Sequence, residues 1–243
     1  MKNLQRILSF VRRAAEDYRM IDRDDTIAVG LSGGKDSLVL LTALAEMRRF
    51  YPVPYQVYAI TVDMGFPGVD YRPLGEYCAS LSVPFRLLPS DIAEIVFTRR
   101  AERNPCSLCS KLRRGILTAA AEELGCRKLA LGHHLDDVAE TVLMNLFFEG
   151  RFGCFSPVTT YDDRAVTIIR PLIYAKESDI VYTAKKQMLP ILESTCPQNH
   201  ITERENIKQL LRSLERSHPG IRHRIFGALC RSGTDGFREF SNR

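Results

Sequence analysis

Apolar positions recur along this chain with two alternating periods. Over residues 4–21, Leu4, Ile7, Leu8, Val11, Ala14 and Ala15 fall on one side of a helical wheel, which predicts an amphipathic helix. Asp24 and Asp25 then lead into an apolar run over 26–31 with the character of a strand buried on both faces. The alternation continues. It predicts helices over 37–50, 70–82, 110–125, 136–149 and 177–188, strands over 57–62, 84–88, 128–131 and 166–169, and a helical region from about residue 203. Gly125 stands where it can cap the helix that precedes it. Residues 89–109 and 150–165 break the pattern and are expected as excursions from the core.

Strand and helix in strict alternation predict an α/β fold. The expected architecture is a Rossmann-like parallel sheet with helices on both faces and a helical C-terminal region. Such folds bind ligands at the carboxyl ends of the strands, near a switch in strand order.

A chain of 243 residues can bury most of its apolar surface without disulfide staples. Its longest apolar stretch, 38–45, falls far short of the ~20 residues that span a bilayer, and the N-terminus lacks the apolar run of a signal peptide. These features predict a cytoplasmic protein with no membrane partner. The net charge of +5 is mild, but its distribution is uneven: Arg99, Arg100, Arg103, Lys111, Arg113 and Arg114 lie close together. Clustered bases suit a phosphate-backbone partner, and they also suit solvated helix faces.

The segment Ser32-Gly33-Gly34-Lys35-Asp36-Ser37 follows a strand and opens a helix. Its glycines let backbone approach an anion, and the helix N-terminus supplies unpaired N–H groups and a positive dipole end. Ser32 and Ser37 add hydroxyls, Lys35 a cation and Asp36 a carboxylate for a metal ion. The spacing is not that of a Walker A loop, and its chemistry favours pyrophosphate.

A second motif, Gly132-His133-His134-Leu135-Asp136-Asp137-Val138-Ala139-Glu140-Thr141, follows the strand at 128–131. Capping a helix needs one acid, so of Asp136 and Asp137 one is free for other work. Two carboxylates beside a triphosphate can hold Mg²⁺, and His133 and His134 at the strand end could reach phosphate. Glu140, four residues after Asp136, is expected on the same helix face.

The cysteines number seven, an odd count that argues against a disulfide framework. Cys106 and Cys109 form a CxxC pair that could bind a metal or form a redox disulfide; a zinc ribbon would need a second such pair, which the chain lacks. Cys196, in the loop 194–198, is a candidate third thiolate. Three thiolates with one open position suit a [4Fe–4S] cluster whose remaining iron can take a small ligand. Cys78, Cys126, Cys154 and Cys230 have no partner spacing and are expected to pack.

Taken as motifs, these segments resemble known families. Ser32 to Ser37 matches the SGGxDS signature of the N-type ATP pyrophosphatases, the PP-loop superfamily, which implies cleavage of ATP between its α- and β-phosphates. Family members read adenine just after the second strand, which points to Asp63 and Met64; the same residues also suit an ordinary strand end. The text from Cys106 to Gly115, with Leu143 to Phe147, Arg170-Pro171-Leu172 and Ser217 to Gly220, resembles the tRNA 2-thiocytidine synthetases over most of the chain. That resemblance implies ATP, Mg²⁺ and a [4Fe–4S] cluster as cofactors. It assigns Ser32, Gly33, Gly34, Lys35, Asp36, Ser37, Asp63, Met64, Gly132, His133 and Asp137 to the nucleotide, and Asp36, Asp136 and Asp137 to Mg²⁺. Cys106, Cys109 and Cys196 would hold the cluster and, with Asp36, carry the chemistry.

The implied reaction adenylates O2 of a cytidine, at position 32 of the anticodon loop, and replaces it with sulfur. Arg99, Arg100, Lys111, Arg113 and Arg114 would grip tRNA phosphates. The sulfur donor, hydrosulfide or a cysteine desulfurase, is left open, and a homodimer is compatible with the fold. The chain then divides into an N-terminal helix over 1–24, an ATP-binding domain over 25–190 that carries the CxxC segment at 100–115, and a third-cysteine loop and helical extension over 191–243. A lysidine synthetase would share the phosphate loop but needs no CxxC. Sulfuration of another base or of a small molecule, and a non-catalytic cluster-bearing nucleotide sensor, are the remaining alternatives.

Overall fold

The computed structural model describes residues 2–100, 105–193, 195–198 and 202–240; of Lys2 and Asn3 it describes the backbone. Arg103 of the basic cluster and Ser194 of the third-cysteine loop lie outside the described residues.

The chain opens with α1 (Lys2–Asp17), whose apolar side, Ile7, Val11, Ala14 and Ala15, is fully buried. Six strands follow as one sheet: β1 (Asp25–Gly30), β2 (Tyr55–Asp63), β3 (Phe85–Pro89), β4 (Lys128–Ala130), β5 (Val158–Thr159) and β6 (Thr167–Ile169). Their spatial order is β3-β2-β1-β4-β6-β5, and all neighbours run parallel except β5, which turns back antiparallel on β6. From β1 the chain builds outward through β2 and β3, then returns to the other side of β1 with β4. The strand order therefore reverses between β1 and β4, and the crevice beyond their carboxyl ends is where this topology places a ligand.

The period of two along each strand divides the core. Ile27 and Val29 of β1, Val57 and Ala59 of β2, Ala130 of β4 and Ile169 of β6 face one apolar layer with α1, α2 (Lys35–Met47) and α6 (Glu177–Lys186). Ala28, Ile60, Leu129 and Ile168 face the other, with Leu117, Ala120 and Ala121 of α4 (Pro105–Glu123). Each fully buried Val, Leu or Ile contributes about 1.5–3 kcal/mol of transfer free energy. Helices thus cover both faces, as the pattern predicts. Cys78, Cys126 and Cys154 are buried in this core and Cys230 packs against it.

Three features depart from the sequence reading. Helix α4 starts at Pro105, so the CxxC pair occupies its first turn rather than an excursion; Pro suits a helix start because its missing N–H has no partner to lose there. A turn of π-helix, Glu94–Arg99, precedes it. The second excursion carries β5, pinned by Arg170 of the β6 end, which donates to Ser156 O at 2.5 Å and Thr159 Oγ1 at 3.0 Å.

The C-terminal helices α7 (Glu203–Ser217) and α8 (Ile221–Ser232) pack on α5 (Leu135–Phe148). Ile207 and Leu211 join Ala139, while Leu229 and Phe237 enter the main core. Among the described residues, no helix is long and apolar enough to cross a membrane.

Candidate nucleotide and thiol site

The β1–α2 junction makes the first wall. Gly33 has φ +80°, a backbone conformation that side chains strain to adopt, and a Cβ there would stand 3.0 Å from Leu192. Leu192 also donates its N–H to Gly33 O at 3.0 Å, so it lies directly against the phosphate loop. Ser37, buried at the base, accepts from Ser32 N–H at 3.1 Å and donates to Gly34 O at 3.0 Å. Gly34 precedes α2 without capping it through a side chain, leaving the first helical N–H groups directed at the crevice.

The second motif meets this loop because β4 neighbours β1. Gly132 has room for no side chain: a Cβ would lie 3.1 Å from both Asp36 C and Ser37 N. His134 is the N-cap of α5, and it forms a reciprocal box with Asp137. Its Nδ1 accepts from Asp137 N–H at 3.4 Å, and its own N–H donates to Asp137 Oδ2 at 2.9 Å. His134 Nε2 stands 3.6 Å from Asp36 Oδ1, a buried oxygen with no hydrogen-bond partner among the described residues.

Adjacent residues of the motif part company here. Asp137 and Glu140 line the crevice. Asp136 turns away: its Oδ2 accepts from Glu177 N–H at 2.8 Å, and its Oδ1 lies 3.0 Å from Arg222 Nε of α8. Its expected helix-face partner, Glu140, instead lies 3.4 Å from Arg204 of α7. His133 packs its ring on Phe155 (centroids 4.7 Å apart) and lines neither cavity of the crevice. Burial and the nearby Arg170 push its pKa down to about 3, which keeps the ring neutral.

Two cavities make up the crevice. The polar one, about 400 Å³, is lined by Lys35, Asp36, His134, Asp137, Glu140, Glu177, Arg204 and Lys208. Burial disfavours the charge on Lys35, but Asp36 and Glu177 more than offset it, so Lys35 stays a cation. Burial also raises Asp137, yet His134, through its ring and its backbone N–H, and Arg204 hold it below the usual carboxylate range. The second cavity, about 370 Å³, is mostly apolar, with Met64, Phe66, Val69, Tyr71 and Phe97 facing Ser32 and Gly34. Asp63 lies beside it, its Oδ1 accepting from Gly65 N–H at 2.9 Å and from Tyr71 OH at 3.2 Å.

Cys106 and Cys196 line both cavities, and Cys109 lines the apolar one with Arg113. Burial and then the charge of Cys196 raise the pKa of Cys106 and of Cys109, so the three thiols feel one another across the mouth of the crevice. Among the described residues, no group of three or more His, Cys, Asp or Glu side chains is drawn tightly enough to close on a metal ion. The donor chemistry nonetheless fits an iron–sulfur cluster: three soft sulfurs line one cavity, and thiols release their protons on metal binding.

Lys111, Arg113 and Arg114 are exposed on α4, and Arg99 and Arg100 on the preceding turn, where Arg99 pairs with Glu94 at 2.9 Å. Sequence reading missed Phe66, Phe97, Glu177, Leu192, Arg204 and Lys208. The aromatic pair in 66–97 and the bases four apart in α7 were the signals available.

A family model described as a PP-loop domain matches residues 5–214. A tRNA-cytidine(32) 2-sulfurtransferase of Pelobacter propionicus is 41% identical over 228 residues, covering 93% of this chain and 85% of that protein. The protein of the same description from Geobacter sulfurreducens is 38% identical over 231 residues, covering 93% and 89%. Among solved structures, the U34-tRNA thiolase NcsA from Methanococcus maripaludis with its [4Fe-4S] cluster superposes with a TM-score of 0.74 at 27% identity, over 91% of this chain and 77% of that one. A phosphate loop and three thiols facing one crevice, on a chain this similar over nearly its whole length, settle its kinship: it belongs to the PP-loop domain family, among the tRNA-cytidine(32) 2-sulfurtransferases.

Proposed function

We propose that this chain is an ATP-dependent tRNA sulfurtransferase that converts cytidine 32 of the anticodon loop to 2-thiocytidine. The observation that carries the reading is the shared wall: Cys106 and Cys196 border both the polar cavity of the phosphate loop and the apolar cavity beside it. An activated base held there lies within reach of both chemistries.

In this reading, the apolar cavity takes adenine between Met64 and the Phe66–Phe97 pair, and the phosphates rest on the N-terminus of α2 with Lys35 as counter-ion. Asp36 and Asp137 would hold Mg²⁺, which neutralises phosphate charge; the unpartnered Asp36 Oδ1 suits that task. The cytidine O2 attacks the α-phosphorus, forming a P–O bond as the bond to the bridging oxygen breaks and pyrophosphate leaves. Sulfur then bonds to C2 and AMP departs with the former O2. Cys106, Cys109 and Cys196 would hold a [4Fe–4S] cluster with one iron left open, and when bound it presents the sulfur to be transferred. The target must be an accessible, unpaired base, which a loop nucleotide provides. Arg99, Arg100, Lys111, Arg113 and Arg114 hold the tRNA backbone beside the thiols. Sulfur arrives as hydrosulfide, free or from a cysteine desulfurase, in the cytoplasm.

The test is mass spectrometry of nucleosides from tRNA incubated with anaerobically reconstituted protein, ATP, Mg²⁺ and sulfide. The expected result is 2-thiocytidine, absent with Cys106→Ala and with Cys196→Ala. Cleavage of ATP to AMP and pyrophosphate with no thiolated nucleoside would leave the phosphate-loop chemistry standing and overturn the cytidine assignment.

A further inference from the structure

Lys35 is held between two carboxylates. Its ammonium lies 3.1 Å from Asp36 Oδ2 and 3.2 Å from Glu177 Oε1. Lys208, from the C-terminal helix α7, lies 2.6 Å from that same Glu177 oxygen. Two ammonium groups, one from the phosphate loop and one from the other end of the chain, therefore share a single carboxylate oxygen. Glu177 is fixed where it stands, because Asp136 accepts its backbone N–H at 2.8 Å and is itself anchored by Arg222.

An anion entering the loop must draw Lys35 away from Glu177. The Glu177 side chain is only 20% exposed. A carboxylate left there without a counter-charge would be costly, and the cost would hold Lys35 back. Lys208 removes that cost, since it sits closer to the shared oxygen than Lys35 does. Against burial, Lys208 and Lys35 hold the Glu177 carboxyl down to about 2, so it is charged at every pH near neutrality.

We infer that Lys208 is a positioning residue for the phosphate site: by occupying Glu177 it frees Lys35 for the phosphates of ATP and the pyrophosphate that leaves. The inference rests on the phosphate-loop reading above and extends it, making the C-terminal helix part of the nucleotide site. Lys208 acts through Lys35, and a variant lacking both the competitor and its neutraliser should bind normally.

The experiment is calorimetric titration of the full chain with inorganic pyrophosphate. Wild type should bind. Lys208→Gln should weaken binding about tenfold, and Glu177→Gln with Lys208→Gln together should return it to within about twofold of wild type. Glu177→Gln alone should bind at least as tightly as wild type, and Lys208→Arg should behave as wild type; weaker binding by Glu177→Gln would overturn the inference even if Lys208→Gln does not fold. A double variant as weak as Lys208→Gln would mean that Lys208 touches the phosphate itself, and an unaffected Lys208→Gln would mean that it has no role; either result overturns the inference. Failure of wild type to bind pyrophosphate would instead sink the phosphate-loop reading, and this inference with it.

Discussion

His134 Nε2 and Asp36 Oδ1 stand 3.6 Å apart, and this contact joins two motifs that lie far apart in the sequence. It is too long for a hydrogen bond, so the Asp36 oxygen has no hydrogen-bond partner among the described residues, while its Oδ2 is 3.1 Å from Lys35. A buried carboxylate oxygen normally finds a donor, and one left unmet at a phosphate loop suits a divalent cation.

Replacing Asp36 with Asn keeps the shape and removes the charge. ATP cleavage, followed by pyrophosphate release, should fall about hundredfold or more, the scale for losing one preorganised electrostatic contact. The melting temperature should hardly move, because the α2 core from Leu38 to Met47 is untouched. Full activity in Asp36→Asn would remove this residue from the metal site.

Gly132→Ala tests the closeness of the two motifs. The added methyl would meet Asp36 C and Ser37 N at 3.1 Å, and both are backbone atoms that cannot swing aside. The phosphate loop must shift by a few tenths of an ångström, so ATP affinity should drop about tenfold, with about 1–3 kcal/mol of stability lost to overpacking. Gly115→Ala is the control: nothing lies within 4 Å of its new Cβ, and Ala in place of Gly inside α4 should stabilise by roughly 0.5–1 kcal/mol without touching nucleotide binding.

The contrast between these glycines shows what the sequence made legible. The phosphate loop could be read directly, because Ser32 to Ser37 is local and each residue type has its own task there. The alternating pattern was enough to predict a mostly parallel sheet with helices on both faces. Asp136 and Asp137 could not be separated by type. Helix phase turns neighbouring residues about 100° apart, which sent Asp137 into the crevice and Asp136 to Arg222. Glu177, Lys208 and Arg204 stayed invisible because their meaning lies in contacts between elements distant in the chain, and single charged residues on amphipathic helices read as solvated faces. Strand β5, two residues long, gave no alternation to detect.

Glu140 gives the crevice a pH signature. Burial and then the charge of Asp137 push its carboxyl up to about 7, with Arg204, Lys208 and His134 pulling it partway back, against an ordinary value of 4.5. Between 4.5 and about 7 the folded chain therefore binds more protons than the unfolded chain, and stability falls as pH rises through that window. Glu140→Gln imitates the protonated form. Its melting temperature relative to wild type should rise as pH goes from about 5 to about 8, the range over which wild type must ionise a buried acid. A difference between the two melting curves that stays constant with pH would show that Glu140 does not titrate in this window.

The basic face of α4 separates tRNA binding from the chemistry. Arg113 and Arg114 are both exposed there, one turn beyond the CxxC pair, and Arg113 also lines the apolar cavity. If both contact phosphates, Arg113→Ala with Arg114→Ala should weaken tRNA binding and lower the slope of log affinity against log salt by about two. Iron and sulfide content after reconstitution should be unchanged, because neither residue offers a thiolate. Arg99→Ala should cost less, since Arg99 already pairs with Glu94 at 2.9 Å and must leave that partner to meet a phosphate. Filter binding of tRNA across a salt series measures both variants. Equal affinity and an unchanged slope in the double variant would take the tRNA backbone off α4; loss of iron in the same variant would mean that these arginines support the thiol segment rather than the nucleic acid.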